Sequence, residues 1–249
     1  MLDLVTWNVD GLNESRLGQR MERLCLEILV GGDLKAALAG APTPPMPHVV
    51  ALQEVVHVAY RGYFAPHFAA AGYRLWPTRA PAESEYWELL AVRPPWTLVH
   101  AERRPFAHSP LGRAGTVAEL VHGASGARAT VITGHLESLR SGAEARVDQA
   151  REIAGWLREA DGPAVFAGDT NLREREARTL AEPPRDAFVE AGSPATERDT
   201  WHPDAEEGGP GFRFDRVWLA GPIHVRRLRL RRSRASDHHG VEVRLAIDD

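Results

Sequence analysis

The fold of this chain is decided by one stretch, Val165-Phe166-Ala167-Gly168-Asp169-Thr170-Asn171-Leu172-Arg173. A short apolar run that ends at a glycine is typical of a buried β-strand followed by a turn. The turn puts the carboxylate of Asp169 and the amide of Asn171 just past the carboxyl end of the strand, where α/β sheets present reactive groups. A carboxylate can take a proton from water and an amide can orient that water, although both residues also suit an ordinary turn. This stretch alone does not distinguish a catalytic turn from a structural one, so the other motifs of the chain are needed.

Length and composition indicate a soluble globular protein with a substantial core. The chain has 249 residues, of which 43% are hydrophobic and 26% are charged. Its net charge of −4 excludes a globally basic nucleic-acid-binding protein. The single cysteine, Cys25, excludes an intramolecular disulfide and a cysteine-based zinc site, and its helical surroundings predict a small buried residue.

No part of the sequence carries a targeting or membrane signal. The first residues, Met1-Leu2-Asp3-Leu4-Val5, lack the basic and apolar regions of a signal peptide, and no apolar run is long enough for a bilayer. We therefore expect a soluble cytoplasmic protein that acts away from membranes. No repeat or boundary divides the chain, so residues 1–249 are predicted to form a single domain, which we expect to be monomeric.

Apolar periodicity predicts pairs of strands separated by helices. Helices are expected over residues 15–30, with Ser15 as the N-cap, 58–71 and 143–160. Strands are expected over residues 2–7, 49–55, 73–77, 86–106 with a break at 93–95, 116–122, 129–135, the run from Val165, 213–219, 223–230 and 240–247. This order predicts an α/β fold with mixed sheets, not a purely parallel sheet.

Acids, amides and histidines recur at the ends of these predicted strands. They are Asn8, Asp10, Glu54, His135, Asp169, Asn171, Asp215, Asp237 and His238. Buried charges are costly unless they are paired or bind a metal, so their recurrence predicts convergence on one site. Several acids without cysteine partners suit Mg²⁺ or Mn²⁺, and two histidines suit the charge on a phosphoryl group. Singly, each has an ordinary explanation: Asp215 could pair with Arg213 or Arg216, and Asp10 could serve an Asp-Gly turn.

Six motifs occur in a fixed order along the chain. They are Thr6-Trp7-Asn8-Val9-Asp10-Gly11-Leu12, Leu52-Gln53-Glu54-Val55, Gly134-His135-Leu136-Glu137-Ser138, Gly168-Asp169-Thr170-Asn171-Leu172-Arg173, Arg213-Phe214-Asp215-Arg216 and Ser236-Asp237-His238. Together they resemble the endonuclease/exonuclease/phosphatase superfamily of DNase I-like proteins, and the resemblance covers residues 6–243. It implies a four-layer α/β sandwich, in which two stacked mixed β-sheets are flanked by helices and the site lies at one edge.

Within that superfamily, the first, third and fourth motifs are most similar to the tyrosyl-DNA phosphodiesterase family. Its members remove tyrosine from DNA 5′ ends, so the resemblance implies a metal-dependent phosphodiesterase or nuclease that takes part in DNA repair. It also implies Mg²⁺ or Mn²⁺ as the cofactor and single-stranded or 5′-overhang DNA ends as the partner. The chain departs from the family at His239, where the family has an aromatic residue.

The resemblance also implies a role for each strand-end residue. Glu54 is expected to hold the metal, with Asp10 and Asp237 near it, and Asp169 is expected to activate water. The remaining catalytic roles fall to Asn8 and Asn171, which position the water and a phosphate oxygen, to His135 and His238, which stabilise the phosphoryl transition state, and to Asp215, which orients His238. Substrate contacts are expected from Ser138, Arg140, Arg173, Trp201 and Phe212.

An arginine run over residues 226–234 allows two interpretations. On a strand, Arg227, Arg229 and Arg231 share one face. They form either a track for nucleic-acid phosphates that leads toward His238, or the charged face of an edge strand that resists aggregation. Both interpretations stay open at the level of sequence.

Two other functions compete with action on DNA ends. One is a phosphatase or phosphodiesterase of the same superfamily that acts on small or lipid phosphoesters, although no amphipathic lipid-docking stretch is evident. The other is a non-catalytic protein that binds phosphate or nucleic acid. The presence of every expected chemical residue argues against this last class.

Overall fold

The computed structural model describes residues 1–40, 44–203 and 211–248. In chain order the strands are β1 (Leu2–Asn8), β2 (Val49–Val56), β3 (Arg74–Trp76), β4 (Tyr86–Val92), β5 (Trp96–Pro105), β6 (Ala114–His122), β7 (Arg128–Gly134), β8 (Ala164–Asp169), β9 (Arg185–Asp186), β10 (Asp215–Ala220), β11 (Ile223–Arg231) and β12 (Gly240–Ile247). They form two six-stranded sheets, in the orders β11-β12-β1-β2-β4-β3 and β5-β6-β7-β8-β10-β9. The predicted mixed sheets are confirmed.

The helices are α1 (Leu17–Val30), α2 (Leu34–Leu38), α3 (His57–Ala59), α4 (Ala65–Ala70), α5 (Ala143–Glu159), α6 (Glu174–Ala177) and α7 (Ala187–Glu190). A π-helical turn, Tyr60–Phe64, joins α3 to α4. The prediction of Ser15 as the N-cap of α1 is wrong, because Arg16 occupies that position in a left-handed conformation with no side-chain cap. Among the described helices, none is both long and apolar enough to cross a membrane.

Three apolar layers hold the four-layer sandwich together. Between the sheets, Leu4 and Val49 of the first sheet pack with Val165 of the second. Outside the first sheet, the core contains α1 residues that include the buried Cys25, as predicted. Outside the second sheet, α5 packs against Phe166 and its neighbours. Because each sheet buries both faces, the central strands are nearly continuous apolar runs, which explains why the sequence pattern identified them.

The polar strand ends meet because each sheet has one parallel pair at its centre. In the first sheet β1 lies parallel to β2, and in the second sheet β7 lies parallel to β8. The other pairings within both sheets are antiparallel. A parallel pair presents two carboxyl ends at the same edge, so the stacked sheets bring four such ends together. A 3.0 Å hydrogen bond from Asn8 on β1 to Asp169 on β8 joins the two edges.

The arginine run divides between two environments. Arg229 and Arg231 on the edge strand β11 bind the Glu242 carboxylate of β12 at 2.8 and 2.5 Å, and Arg227 lies 3.9 Å from it. Arg231 also donates to the carbonyl of Glu27 near the end of α1, where a cation is favourable. The strand part of the run therefore fits a charged edge strand, whereas the residues beyond β11 require a separate explanation.

The Gly168→Ala variant should unfold more easily than the wild type. A Cβ atom at Gly168 would lie 2.2 Å from the carbonyl oxygen of Gly134, and backbone atoms at two strand ends cannot move away cheaply. We expect the free energy of unfolding to fall by about 1–3 kcal/mol, as for other overpacked positions. Urea unfolding followed by circular dichroism measures it.

The matched control is Gly155→Ala, since Gly155 lies within α5 and nothing approaches its Cβ position within 4 Å. That change should raise the free energy of unfolding by up to about 1 kcal/mol, because alanine favours helix. Equal unfolding free energies for Gly168→Ala and the wild type would contradict the close approach of β7 and β8.

Candidate active site

The Asp169 carboxylate is the centre of the polar cluster. Its Oδ2 atom accepts a hydrogen bond from the Asn8 amide at 3.0 Å and lies 3.3 Å from His135 Nε2. Its Oδ1 atom accepts from the backbone N–H of Asn171 at 2.8 Å. Burial raises the pKa of Asp169, but the His135 and His238 rings and the Asn8 amide outweigh burial and lower it. Asp169 is therefore ionised at neutral pH, as a proton acceptor must be.

His238 forms a charged pair with Asp215. The His238 Nδ1 and Asp215 Oδ2 atoms lie 2.7 Å apart, and both side chains are buried. Burial lowers the pKa of His238, but the Asp215 and Asp169 carboxylates raise it to about 10. The ordinary alternative for Asp215 is wrong, because Arg213 and Arg216 instead pair with Glu174 and Asp186.

The free nitrogen of the charged His238 ring points toward Asp169. Its Nε2 atom lies 3.7 Å from Asp169 Oδ2, which is beyond hydrogen-bond distance. The Asp215 partner fixes the tautomer and the ring orientation. An N–H group that carries positive charge is thus available to an anionic oxygen beside Asp169.

His135 is neutral and lies between Asp169 and Glu54. Burial, together with the Arg113 cation, lowers the pKa of His135 to about 3. The Nδ1 atom of His135 lies 3.7 Å from Glu54 Oε1 and has no hydrogen-bond partner although it is buried. A buried polar atom without a partner is rare in folded proteins, and at this edge it suits contact with a bound ligand or water.

Glu54 lies at an irregularity near the carboxyl end of β2. Its backbone is left-handed, with φ 57°, and the register between β2 and β4 shifts between Leu52 and Val55. Such a conformation is strained for a residue other than glycine and is common at functional sites. The loop after β1 packs directly on this bulge, because a Cβ at Gly11 would lie 2.0 Å from the Glu54 carbonyl oxygen. Glycine at the second position of the Asp10-Gly11 sequence therefore allows this loop to pack closely against Glu54.

The Glu54 carboxyl group lacks a strong cationic partner. Burial raises its pKa to about 7, since the Asn8 hydrogen bond only partly offsets burial and Asp169 adds repulsion. A buried carboxylate with nearby acids and little compensation is a suitable oxygen donor for a divalent cation. The residues present therefore fit a hard metal ion at Glu54.

Asp10 and Asp237, the other two acids expected near the metal, both have protein partners. Asp10 Oδ2 lies 3.1 Å from Arg20 NH1, and burial and the Asp237 carboxylate raise the Asp10 pKa. Asp237 Oδ2 accepts a 2.7 Å hydrogen bond from the Trp201 indole. Another acid-histidine group, Asp169, Asp215 and His238, brings its donor atoms within 4.8 Å of one another. Since His238 already binds Asp215, Glu54 is the better centre for a metal.

Three of the expected substrate contacts form one aromatic and cationic surface. The Trp201 ring lies 5.9 Å from Phe212 and 6.4 Å from His238, and Phe212 stacks on Phe214 at 5.3 Å. The Arg173 guanidinium lies over the Phe212 ring at 5.8 Å. This surface adjoins the buried cluster through His238 and suits the face of a nucleobase.

The other two expected substrate contacts, Ser138 and Arg140, lie near other arginines. The Ser138 hydroxyl oxygen accepts a hydrogen bond from Arg113 at 3.3 Å. Arg140 and Arg173 line one small cavity of about 240 Å³ together with Arg146 and Glu176. Arg140 therefore lies near Arg173, but not in the aromatic surface around Trp201.

Several residues that support the site were not identified from the sequence. Arg113 is buried in a loop, influences His135, and lies 5.8 Å from the Tyr86 ring. Gln53 links the two sheets through Thr133 at 3.0 Å, and the Thr200 hydroxyl accepts from the backbone N–H of Asp215 at 3.0 Å. No sequence spacing distinguishes Arg113 from the other arginines, whereas Gln53 lies inside a recognised motif.

The fold and this cluster define the class of protein. A model described as the Endonuclease/Exonuclease/phosphatase family matches residues 5–238. The chain belongs to the endonuclease/exonuclease/phosphatase family. That assignment confirms the superfamily that the six motifs indicated.

Among its relatives are tyrosyl-DNA phosphodiesterases. Tyrosyl-DNA phosphodiesterase 2 from Homo sapiens is 26% identical over 229 residues, which are 88% of this chain and 58% of the relative. The 5′-tyrosyl-DNA phosphodiesterase from Caenorhabditis briggsae is 25% identical over 234 residues, with coverages of 90% and 61%. The crystal structure of D. rerio TDP2 complexed with single strand DNA product matches with a TM-score of 0.80 and 25% identity over 98% of both chains. The chain thus spans about three fifths of the length of these curated relatives.

Proposed function

We propose that this chain is a divalent-metal-dependent phosphodiesterase that hydrolyses phosphoester bonds at DNA ends, with 5′-tyrosyl-DNA adducts as the substrate. The observation that carries the proposal is the ionised Asp169 carboxylate, buried between a neutral His135 and a charged His238. Such a set can accept a proton from water on one side and stabilise an anionic phosphoryl group on the other. Both sheets supply these residues, so we propose that residues 1–249 act as one catalytic domain.

In this mechanism Asp169 takes the proton from the attacking water. Asn171 and Asn8 orient the water and a phosphate oxygen. The Asn8 amide donates to the Asp169 carboxylate, whereas Asn171 donates to that carboxylate through its backbone N–H and to the Leu136 carbonyl through its side-chain amide. The charged His238 N–H and the His135 ring donate hydrogen bonds to the oxygens on which charge develops. Asp215 holds His238 in the orientation that this requires.

The metal would be held by Glu54, with Asp10 and Asp237 nearby, and Mg²⁺ or Mn²⁺ suits these oxygen ligands. When bound, such an ion polarises the phosphate and stabilises the leaving oxygen. The raised pKa of Glu54 supports this assignment, because a nearby cation would relieve its unfavourable burial.

DNA as the substrate is supported by the relatives and by the aromatic surface. The relatives are tyrosyl-DNA phosphodiesterases, and one solved structure of such a relative holds a single strand DNA product. The partly exposed aromatic side chains of Trp201 and Phe212 lie where a terminal base could stack beside the reacting phosphate.

A substrate panel in the presence of Mg²⁺ or Mn²⁺ tests the proposal. We expect turnover of a 5′-tyrosyl oligonucleotide to exceed that of inositol phosphates, sphingomyelin and bis-p-nitrophenyl phosphate. Faster turnover of a small or lipid phosphoester would reassign the substrate, and no turnover of any compound would favour a binding protein.

The Glu54→Gln variant should bind the metal more weakly. The substitution removes the charge but keeps the size of a side chain whose buried carboxylate has little compensation. We expect the dissociation constant for Mn²⁺ to rise by at least about 10-fold, as measured by isothermal titration calorimetry. Glu83→Gln, at an exposed position, is the matched control, and equal Mn²⁺ affinity in both variants would exclude Glu54 as the ligand.

A further inference from the structure

A large basic groove lies next to the catalytic cluster, on the side of His239. It has a volume of about 1150 Å³. Its lining residues come from the loop before α1, from α1, and from the segments around His202 and after β11. Seven of them are basic, and Glu27 is the one acid among the described lining residues. The basic residues are Arg16, Arg20, Arg23, His202, Arg232, Arg234 and His239. We call this set the basic groove.

Most cations in the basic groove already have a protein partner. Arg20 donates to Asp10 and to several backbone carbonyls, and Arg23 pairs with Glu27. Arg232 lies 3.7 Å from Glu197. Within the described parts of the chain, the Arg16 and Arg234 side chains show no hydrogen bond or ion pair, and both residues are exposed. Two unpaired guanidinium groups in a chain of net charge −4 create a local attraction for a polyanion.

Two histidine rings connect the basic groove to the catalytic residues. His239 directly follows His238, and its ring lies 5.4 Å from that of His202. Among the residues that the structure describes, the buried His239 Nδ1 atom has no hydrogen-bond partner. Burial, the His202 ring and the Arg232 cation lower the pKa of His239 to about 4, so its ring is neutral at neutral pH. The rings can therefore contact a phosphate or a base edge without adding charge at His239.

We propose that the basic groove binds phosphate groups of the nucleic acid beyond the reacting end. The proposal rests on the proposed action on DNA ends, since it assigns the path of the same substrate. Arg16 and Arg234 bind the phosphates, whereas Arg20 holds the loop after β1 in place. The arginine run thus has two functions: its β11 part stabilises an edge strand, and its last residues contact the substrate. The phosphates belong either to the reacting strand or to the complementary strand.

Fluorescence anisotropy with labelled oligonucleotides tests the basic groove. The variants are Arg16→Glu/Arg234→Glu, in which charge is reversed, and Arg16→Lys/Arg234→Lys, in which charge is kept. The matched control is Arg226→Glu, an exposed arginine of the same run that lies outside the groove. It is five residues from Arg231 on β11, or about 16 Å along an extended strand.

We expect charge reversal to weaken oligonucleotide binding at least 10-fold, with the lysine variant retaining most of the affinity and Arg226→Glu matching the wild type. The slope of log affinity against log salt should become shallower by roughly 1.4, or about 0.7 for each lost phosphate contact on a single strand. If charge reversal weakens binding of both a single strand and an overhang duplex, the groove binds the reacting strand. If it weakens binding of the duplex alone, the groove binds the complementary strand.

Equal affinities for the charge-reversed variant and Arg226→Glu would overturn the proposal, as would absence of oligonucleotide binding by the wild type. Turnover of 5′-tyrosyl DNA tests the proposed function separately. If charge reversal weakens oligonucleotide binding but the wild type does not turn over 5′-tyrosyl DNA, the basic groove is supported and the proposed function is rejected. If the wild type turns over 5′-tyrosyl DNA but charge reversal leaves binding unchanged, the groove is rejected and the proposed function is supported.

Discussion

Replacement of Asp169 by Asn is expected to lower kcat by about 10³-fold, within the range for loss of a general base. The carboxylate lies at the junction of both sheets, and four neighbours lower its pKa despite burial. An amide has nearly the same shape, but it cannot accept the proton of the attacking water. Turnover of a 5′-tyrosyl oligonucleotide at saturating metal and substrate measures the effect.

The control for this variant is Asp161→Asn, since Asp161 is an exposed residue before β8. It makes the same chemical change before the strand that Asp169 ends, and away from the cluster, so kcat should stay at the wild-type value. Metal affinity separates the two possible roles of Asp169: a kcat loss with unchanged Mn²⁺ binding supports a proton acceptor. Wild-type turnover in Asp169→Asn would reject the mechanism.

The Asp215→Asn variant should move the alkaline limit of activity to lower pH. In the wild type, the Asp215 and Asp169 carboxylates overcome burial and raise the His238 pKa to about 10. His238 therefore keeps its proton throughout the neutral and mildly alkaline range. Without the Asp215 charge, burial is opposed mainly by Asp169, so the His238 pKa falls and the ring loses its proton at lower pH. We expect kcat at pH 8 to fall by about 10² or more.

A histidine NMR titration and the pH profile of kcat measure this effect. The control is Asp186→Asn, which removes a carboxylate from the Arg213 and Arg216 ion pairs without contact to His238. It should alter stability while leaving the His238 pKa and the pH profile unchanged. A His238 pKa near 10 in Asp215→Asn would contradict the assigned pairing. Such a result would leave Asp169 as the main partner of His238.

The surroundings of two carboxylates at the site differ. Neighbouring imidazoles and an amide hold the pKa of Asp169 low despite burial, whereas burial raises the pKa of Glu54 and its neighbours offset burial only partly. Two carboxylates whose surroundings push their pKa values apart are suited to different tasks. In this arrangement Asp169 is suited to accept a proton, and Glu54 is suited to hold a cation.

The sequence by itself determined the sheets and the identity of most candidate residues. Strands such as β2 and β8 are buried on both faces, so they are nearly continuous apolar runs that can be recognised in the sequence. Burial of the polar residues that interrupt or end such runs costs free energy, and the six motifs that contain them, in a fixed order, already indicated one site. The predicted helix ends were less accurate. Arg16 is the N-cap of α1 in a left-handed conformation, and no sequence rule favours it over Ser15 at that position.

Only the tertiary structure decided which residues act together. Arg113 joins the cluster from a loop without a motif, and Asp10 proves to be paired with Arg20. The arginine run looks uniform in sequence, yet Glu242 neutralises its strand part. The Arg234 side chain instead lines the basic groove with Arg16 and has no partner among the described residues. Charge pairing and pKa depend on distances across stacked sheets, and contacts between residues far apart in the chain set those distances. Sequence periodicity reports local burial and leaves those long-range contacts undetermined.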